Sequence, residues 1–134
     1  AVLHVAFLWF GIGMALYALE SLLLLGGVGV SLGRAPLHAL GIGLIAGMTL
    51  AMASRVSLGH SGRALIADNL VWLCGWGLHL SALLRVFGDL PVGAQLAGLP
   101  ITFLAALVWL ASVLPWAAQF APIYLRPRVD GRPG

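Results

Sequence analysis

The sequence predicts an all-α fold, an integral membrane bundle of four transmembrane helices that is part of a larger multi-span protein. Composition is the first observation behind this reading. The chain is 61% hydrophobic and 8% charged, with a mean hydropathy of +1.05. An ordinary soluble domain is roughly 45–50% apolar and about 25% charged. The second observation is length. A spanning helix needs about 20 mostly apolar residues, so the chain has room for about four. The third is that no polar stretch is long enough to form a separate soluble domain.

The net charge of +3 at pH 7 comes from seven basic residues, all arginine. They stand near the ends of apolar runs, so they read as topology signals rather than as a nucleic-acid surface. Cys74 is the only cysteine. It lies inside an apolar run, which rules out an intrachain disulfide and CxxC metal chemistry. The chain opens Ala1-Val2-Leu3-His4, with no charged leader segment, and does not resemble a signal peptide. The expectation is a C-terminal portion of a longer protein.

The first span is placed at residues 1–25, ending at the breaker cluster Gly26-Gly27 and Gly29. It carries His4 and Glu20, roughly 160° apart around the helix at 3.6 residues per turn. A polar group facing lipid costs roughly 2.5–3.5 kcal/mol on insertion scales. Both faces are therefore expected to meet protein or a cavity, supplied by missing N-terminal helices or by a homo-oligomer.

The second span is placed at residues 35–54, with Pro36 suited to a helix start. Gly43 and Gly47 have the GxxxG spacing that lets two backbones approach closely. His38, Ile45, Thr49 and Met52 are expected on one face. Arg55-Val-Ser-Leu-Gly-His-Ser-Gly-Arg63 then reads as a tight polar connection. The third span is placed at residues 64–87. Asp68, Trp72, Gly75 or Trp76, and His79 recur along it at helical spacing. Asp68 near its start and Arg85 near its end both suit the helix dipole.

After the loop Gly88–Gly93, Pro100 can open a fourth span at residues 100–121. Stopping at Pro115 would leave about 22 Å of helix, too short for a core of about 30 Å. The helix is therefore expected to run through Pro115 with a kink. Pro122, Pro127 and Pro133 then leave an extended tail, residues 122–134. Four spans put both termini and the Arg55–Arg63 connection on one side. Arg55, Arg63, Arg126, Arg128 and Arg132 lie there, against Arg34 and Arg85 opposite, so that side is expected to be cytoplasmic.

Chemistry-bearing residues fall into two tiers. His4, Arg55, His60, Arg63, Asp68 and Gln119 lie toward the predicted cytoplasmic side. Glu20, His38, His79 and Arg85 lie toward the other. His38 and His79 are expected on neighbouring helices with depths differing by about 7 Å at 1.5 Å per residue. Imidazoles so placed could hold a metal or a haem iron. The same histidines could instead be hydrogen-bonded packing or interfacial residues. Arg55 and Arg63 could clamp an anion such as a haem propionate, or simply anchor helices at the interface. Glu20 could carry a proton or pair with a cation, or reach the interface from its helix end. Asp68 reads as a first-turn cap. Met48 and Met52, at i,i+4, suit soft copper but also ordinary packing.

RVSLGHSGR over residues 55–63 resembles the signature turn of the NnrS family. His38-Ala-Leu-Gly-Ile-Gly43, leading through Gly47 and Met52 to that turn, resembles the family too, the opening Leu3-His4-Val5-Ala6-Phe7 is similar to its Leu-His-Leu-Gly-Tyr entry, and the tail Leu125–Gly134 is similar to its C-terminus. Ser61 stands where the family more often has threonine. The family's Trp-His-Ala-His-Glu-Met type motif, in an N-terminal region, is not in this chain. The resemblance implies a bacterial inner-membrane protein that binds haem or copper, with nitric oxide as a ligand, and that protects against nitrosative stress. It carries His4, His38 and His60 over as cofactor or metal ligands, while His79 rests on its spacing alone. The alternative is a membrane transporter or structural helix bundle with no bound redox cofactor. The residues show no nucleophile–base arrangement and no phosphate-binding loop, so no catalytic group is assigned.

Overall fold

The computed structural model describes residues 2–90, 95–96, 99–129 and 131. Four helices carry it: α1 (Val2–Leu25), α2 (Ala35–His60), α3 (Asn69–Asp89) and α4 (Ile101–Phe120). All four are long and apolar enough to cross a membrane. A 3₁₀ segment, Ala121–Leu125, extends α4. Ahead of α4, Gln95–Leu96 pairs antiparallel with Leu99–Pro100, Gln95 opposite Pro100 and Leu96 opposite Leu99. Arg132, Pro133 and the loop residues Pro91 to Gly93 lie outside the described residues.

Local chemistry explains most helix ends. After α1, Gly27 takes φ 69. Val28 N–H donates to Leu23 C=O and Gly27 N–H to Leu24 C=O. That pair of bonds around a left-handed glycine closes a helix and satisfies its last carbonyls. Pro36 sits in the first turn of α2, where its missing N–H costs nothing. Pro115 lies within α4, which continues past it to Phe120. Pro122 is the second residue of the 3₁₀ turn rather than an end to helical structure.

Three boundaries differ from the sequence expectation. The second span runs to His60 rather than to Ser54, so most of RVSLGHSGR is helix and only its end is a turn. Arginine, serine and leucine impose no helix stop; Gly62 does, at φ 74. Arg63 N–H reaches Leu58 C=O at 3.0 Å and Gly62 N–H reaches Gly59 C=O at 3.2 Å, the same closing motif as after α1. The third helix starts at Asn69 rather than at Ala64, because Asp68 is its N-cap: Oδ1 accepts from Val71 N–H at 2.9 Å. That helix also continues past Phe87 to Asp89. Within α2, Ala39–Ala46 is π-helical.

The bundle is held by small residues and a few polar bonds. Lipid tails are as apolar as leucine, so helices in a bilayer associate by close packing and hydrogen bonding. The buried positions fit that rule. Ala6, Gly13, Ala35, Ala39, Gly43, Gly47, Ala82 and Ala105 are all buried, whereas leucines and phenylalanines crowd the outside. A Cβ on Gly43 would overlap the Trp9 indole, and one on Gly47 would meet Ala6 Cβ at 3.1 Å. The GxxxG pair thus seats α1 against α2. Ser81 Oγ donates to the Ala105 carbonyl at 2.8 Å and joins α3 to α4. Trp116 Nε1–H donates to Ser54 Oγ at 2.8 Å and joins α4 to α2.

Candidate functional site

The polar residues gather at three levels, named here from the tail, where α4 ends. At the far end, Glu20 Oε1 accepts from Ser31 Oγ at 2.9 Å and from Leu32 N–H at 3.1 Å. Its carboxylate thus fastens the α1–α2 connection. Beside it, His38 Nδ1–H donates to Asp89 Oδ2 at 2.5 Å, and Arg85 Nη1 lies 3.5 Å from Asp89 Oδ1. Gly33 sits over the Asp89 carbonyl, which brings the start of α2 level with the end of α3. The sequence placed Asp89 in a loop and missed it as a partner. An acidic residue closing a span on the side of His38 was the available signal.

At mid-bundle, Trp9 Nε1–H donates to His79 Nδ1 at 3.1 Å. Both side chains are buried. Trp76 approaches the imidazole edge-on, with ring centroids 5.9 Å apart, and His79 Cε1 lies 3.3 Å from where a Cβ on Gly47 would sit. An indole N–H can only donate. The Nδ1 of His79 therefore carries no proton, and in the neutral ring the proton sits on Nε2. Trp9 was not singled out in the sequence, although a tryptophan inside a span needs an acceptor for its N–H.

At the tail end, Asp68 joins two helices, since Oδ2 accepts from Gln119 Nε2 at 2.5 Å. Gln119 Oε1 is buried with no partner among the described residues. Ser57 Oγ and Tyr124 Oη lie 2.5 Å apart. His4, Arg55 and His60 are exposed and Arg63 is half-buried. Arg55 borders a cleft of about 290 Å³ with Leu3, Met52, Leu65 and Trp72, while His60 faces a different one with Arg126 and Arg128. His4 stands on the exposed face of α1. Ile45, Thr49 and Met52, expected to share a face with His38, are exposed.

The expected pairing of His38 with His79 at similar depth does not occur. His38 reaches Asp89 at the far end, whereas His79 packs at Gly47 of α2, nine residues beyond His38 and roughly 12 Å of helix further in. Among the described residues, no three His, Cys, Asp or Glu side chains converge as a metal-binding group. The two histidines also differ in chemistry. A carboxylate on one ring nitrogen is the usual support of a metal-ligating imidazole, leaving the other nitrogen its lone pair. His38 has that arrangement. His79, with Nδ1 accepting from Trp9 and the proton on Nε2, has no lone pair to spare. An open groove of about 700 Å³ lies near His38, lined by Ile42, Ser81, Arg85, Thr102, Ala105 and Trp109 among others. Ile42 follows His38 by about one turn of α2.

No curated protein and no solved structure matches the chain. The family model described as NnrS protein matches residues 1–128, nearly its whole length, including every histidine and the RVSLGHSGR stretch. With four helices suited to span a membrane and this match over almost all of them, the chain belongs to the NnrS family.

Proposed function

We propose that this chain is the part of a bacterial inner-membrane protein in which His38 would help hold a haem, and that the protein protects against nitric oxide and nitrosative stress. The observation that carries the reading is the His38–Asp89 bond. It fixes Nδ1 as the donor and leaves Nε2 as the ligating nitrogen. A haem iron takes one or two protein ligands, so a single supported imidazole suits it. Copper would need further ligands, from helices outside this chain. Arg85 stands at the same end as His38, where a guanidinium can pair with a propionate. The apolar walls of the groove at Ile42, Ala105 and Trp109 suit a macrocycle. A bound haem iron supplies the site at which nitric oxide binds. His4, His60, Arg55 and Arg63 lie toward the tail end; of these, His4 and His60 keep a place as ligands completed by other helices. The tail side is proposed to be cytoplasmic.

A second reading, polar residues that only hold helices together, is favoured at two positions. His79 Nδ1 and Glu20 Oε1 each accept hydrogen bonds from within the fold.

The test is a reduced-minus-oxidised absorption spectrum of the purified protein, grown with haem available, with iron and copper counted per chain and with nitric oxide then added. A Soret band that shifts with nitric oxide, is lost in His38→Ala and is kept in His79→Gln supports the proposal. Haem retained in full by His38→Ala overturns the assignment of the ligand. Neither haem nor copper in the parent protein overturns the cofactor itself and leaves the transport or structural reading.

A further inference from the structure

The tail end holds a second cleft, apart from the His38–Asp89 site. It measures about 250 Å³ and is bordered by Ser57, His60 and Ser61 of α2 and its turn, and by Tyr124, Arg126 and Arg128 after α4. Arg126, Arg128 and His60 line it. Two bonds fix the tail against α2. Val129 N–H donates to the Ser61 carbonyl at 3.1 Å, and Ser57 Oγ meets Tyr124 Oη. The arginine-bearing segment is thus held at both ends, so less ordering is needed when a ligand arrives. Guanidinium groups match phosphate oxygens in geometry as well as charge.

We infer that this cleft binds a phosphate-bearing anion at the tail end of the bundle. Its position makes a lipid headgroup accessible as well as a free ion. Tyr124 and Leu125 are 70% and 87% exposed directly beside the arginines. A tyrosine next to an arginine at the end of a span is the arrangement found at the headgroup level. The RVSLGHSGR stretch then has a second use: His60 and Ser61 form one wall of an anion site, and Gly62 makes the turn that lets residue 129 reach the Ser61 carbonyl.

The protein purified in dodecylmaltoside is titrated with short-chain phosphatidylglycerol, with short-chain diacylglycerol lacking phosphate, and with inorganic phosphate, following thermal stabilisation. Saturable stabilisation by phosphatidylglycerol and none by diacylglycerol is expected. Arg126→Gln with Arg128→Gln should weaken it on the order of tenfold or more, since two charged hydrogen-bond donors are lost. Arg34→Gln, at the opposite end, should leave it unchanged. If inorganic phosphate reproduces the effect, the ligand is the free ion; if only the lipid does, it is a headgroup. Should the double variant fail to fold, His60→Gln takes its place and must also weaken binding. No saturable stabilisation by either phosphate compound, or equal binding by wild type and the cleft variant, overturns the inference.

Discussion

Trp9 and His79 meet 3.1 Å apart at the buried contact of α1 with α3, indole N–H to imidazole Nδ1. Replacing Trp9 with phenylalanine keeps most of the ring and removes the donor. Polar bonds between helices in membranes average about 0.6 kcal/mol and reach about 1.7 kcal/mol, so Trp9→Phe should lower stability within that range. A double-mutant cycle with His79→Gln, read by thermal unfolding in detergent, should show coupling of that size. Additive effects would mean that the bond contributes nothing to stability.

Gly43 and Gly41 are near neighbours with opposite surroundings. A Cβ at Gly43 overlaps the Trp9 ring, whereas one at Gly41 meets nothing within 4 Å. Gly43→Ala should destabilise by about 1–3 kcal/mol, the usual cost of overpacking. Gly41→Ala should be neutral or slightly stabilising. Equal unfolding temperatures for the two variants would contradict the close seating of α1 on α2.

Asp89→Asn tests the support of His38 without removing the imidazole. If His38 ligates haem through Nε2, loss of the carboxylate should weaken retention of the cofactor by about 10–100-fold. Glu20→Gln, also at the far end, should leave haem content unchanged. Haem titration of the apo-protein measures both.

Asp68 caps α3 and binds Gln119. Asp68→Ala should cost about 1 kcal/mol for the cap alone, plus the share of the Gln119 bond. Asp68→Ser restores an N-cap acceptor but is too short to reach Gln119, so it should recover only the first part. Unfolding midpoints of the three proteins separate the two contributions.

Gly62 closes α2 at φ 74. Gly62→Ala should cost on the order of 1–2 kcal/mol, because an L-residue resists the left-handed region. The loss should appear as faster hydrogen exchange at residues 58–63 before any change at mid-bundle.

The spans were legible because apolar runs longer than a bilayer core leave few other folds. Pro36 and Asp68 were also legible, since each carries a local reason to sit at a helix start. The end of α2 was not, because polarity was taken as loop. Arg55 and Ser57 are compatible with helix, and only Gly62 supplies a reason to stop. Ala64–Ala67 misled in the other direction, being apolar but lying ahead of the Asp68 cap. The site was less legible than the fold. Depth counted from assumed helix ends put His38 near His79, whereas His79 packs against Gly47, nine residues beyond His38 on α2. Partners such as Trp9 for His79 and Asp89 for His38 lie 70 and 51 residues away in sequence, where no spacing rule reaches.

The π-helical stretch Ala39–Ala46 separates His38 from the α-helical part of α2 that ends at His60. A π-turn holds more residues than an α-turn, so angles counted along an ideal helix do not carry from one half of α2 to the other. His38 is therefore aimed independently of the tail-end signature, as if the two stood on separate shafts joined by a coupling.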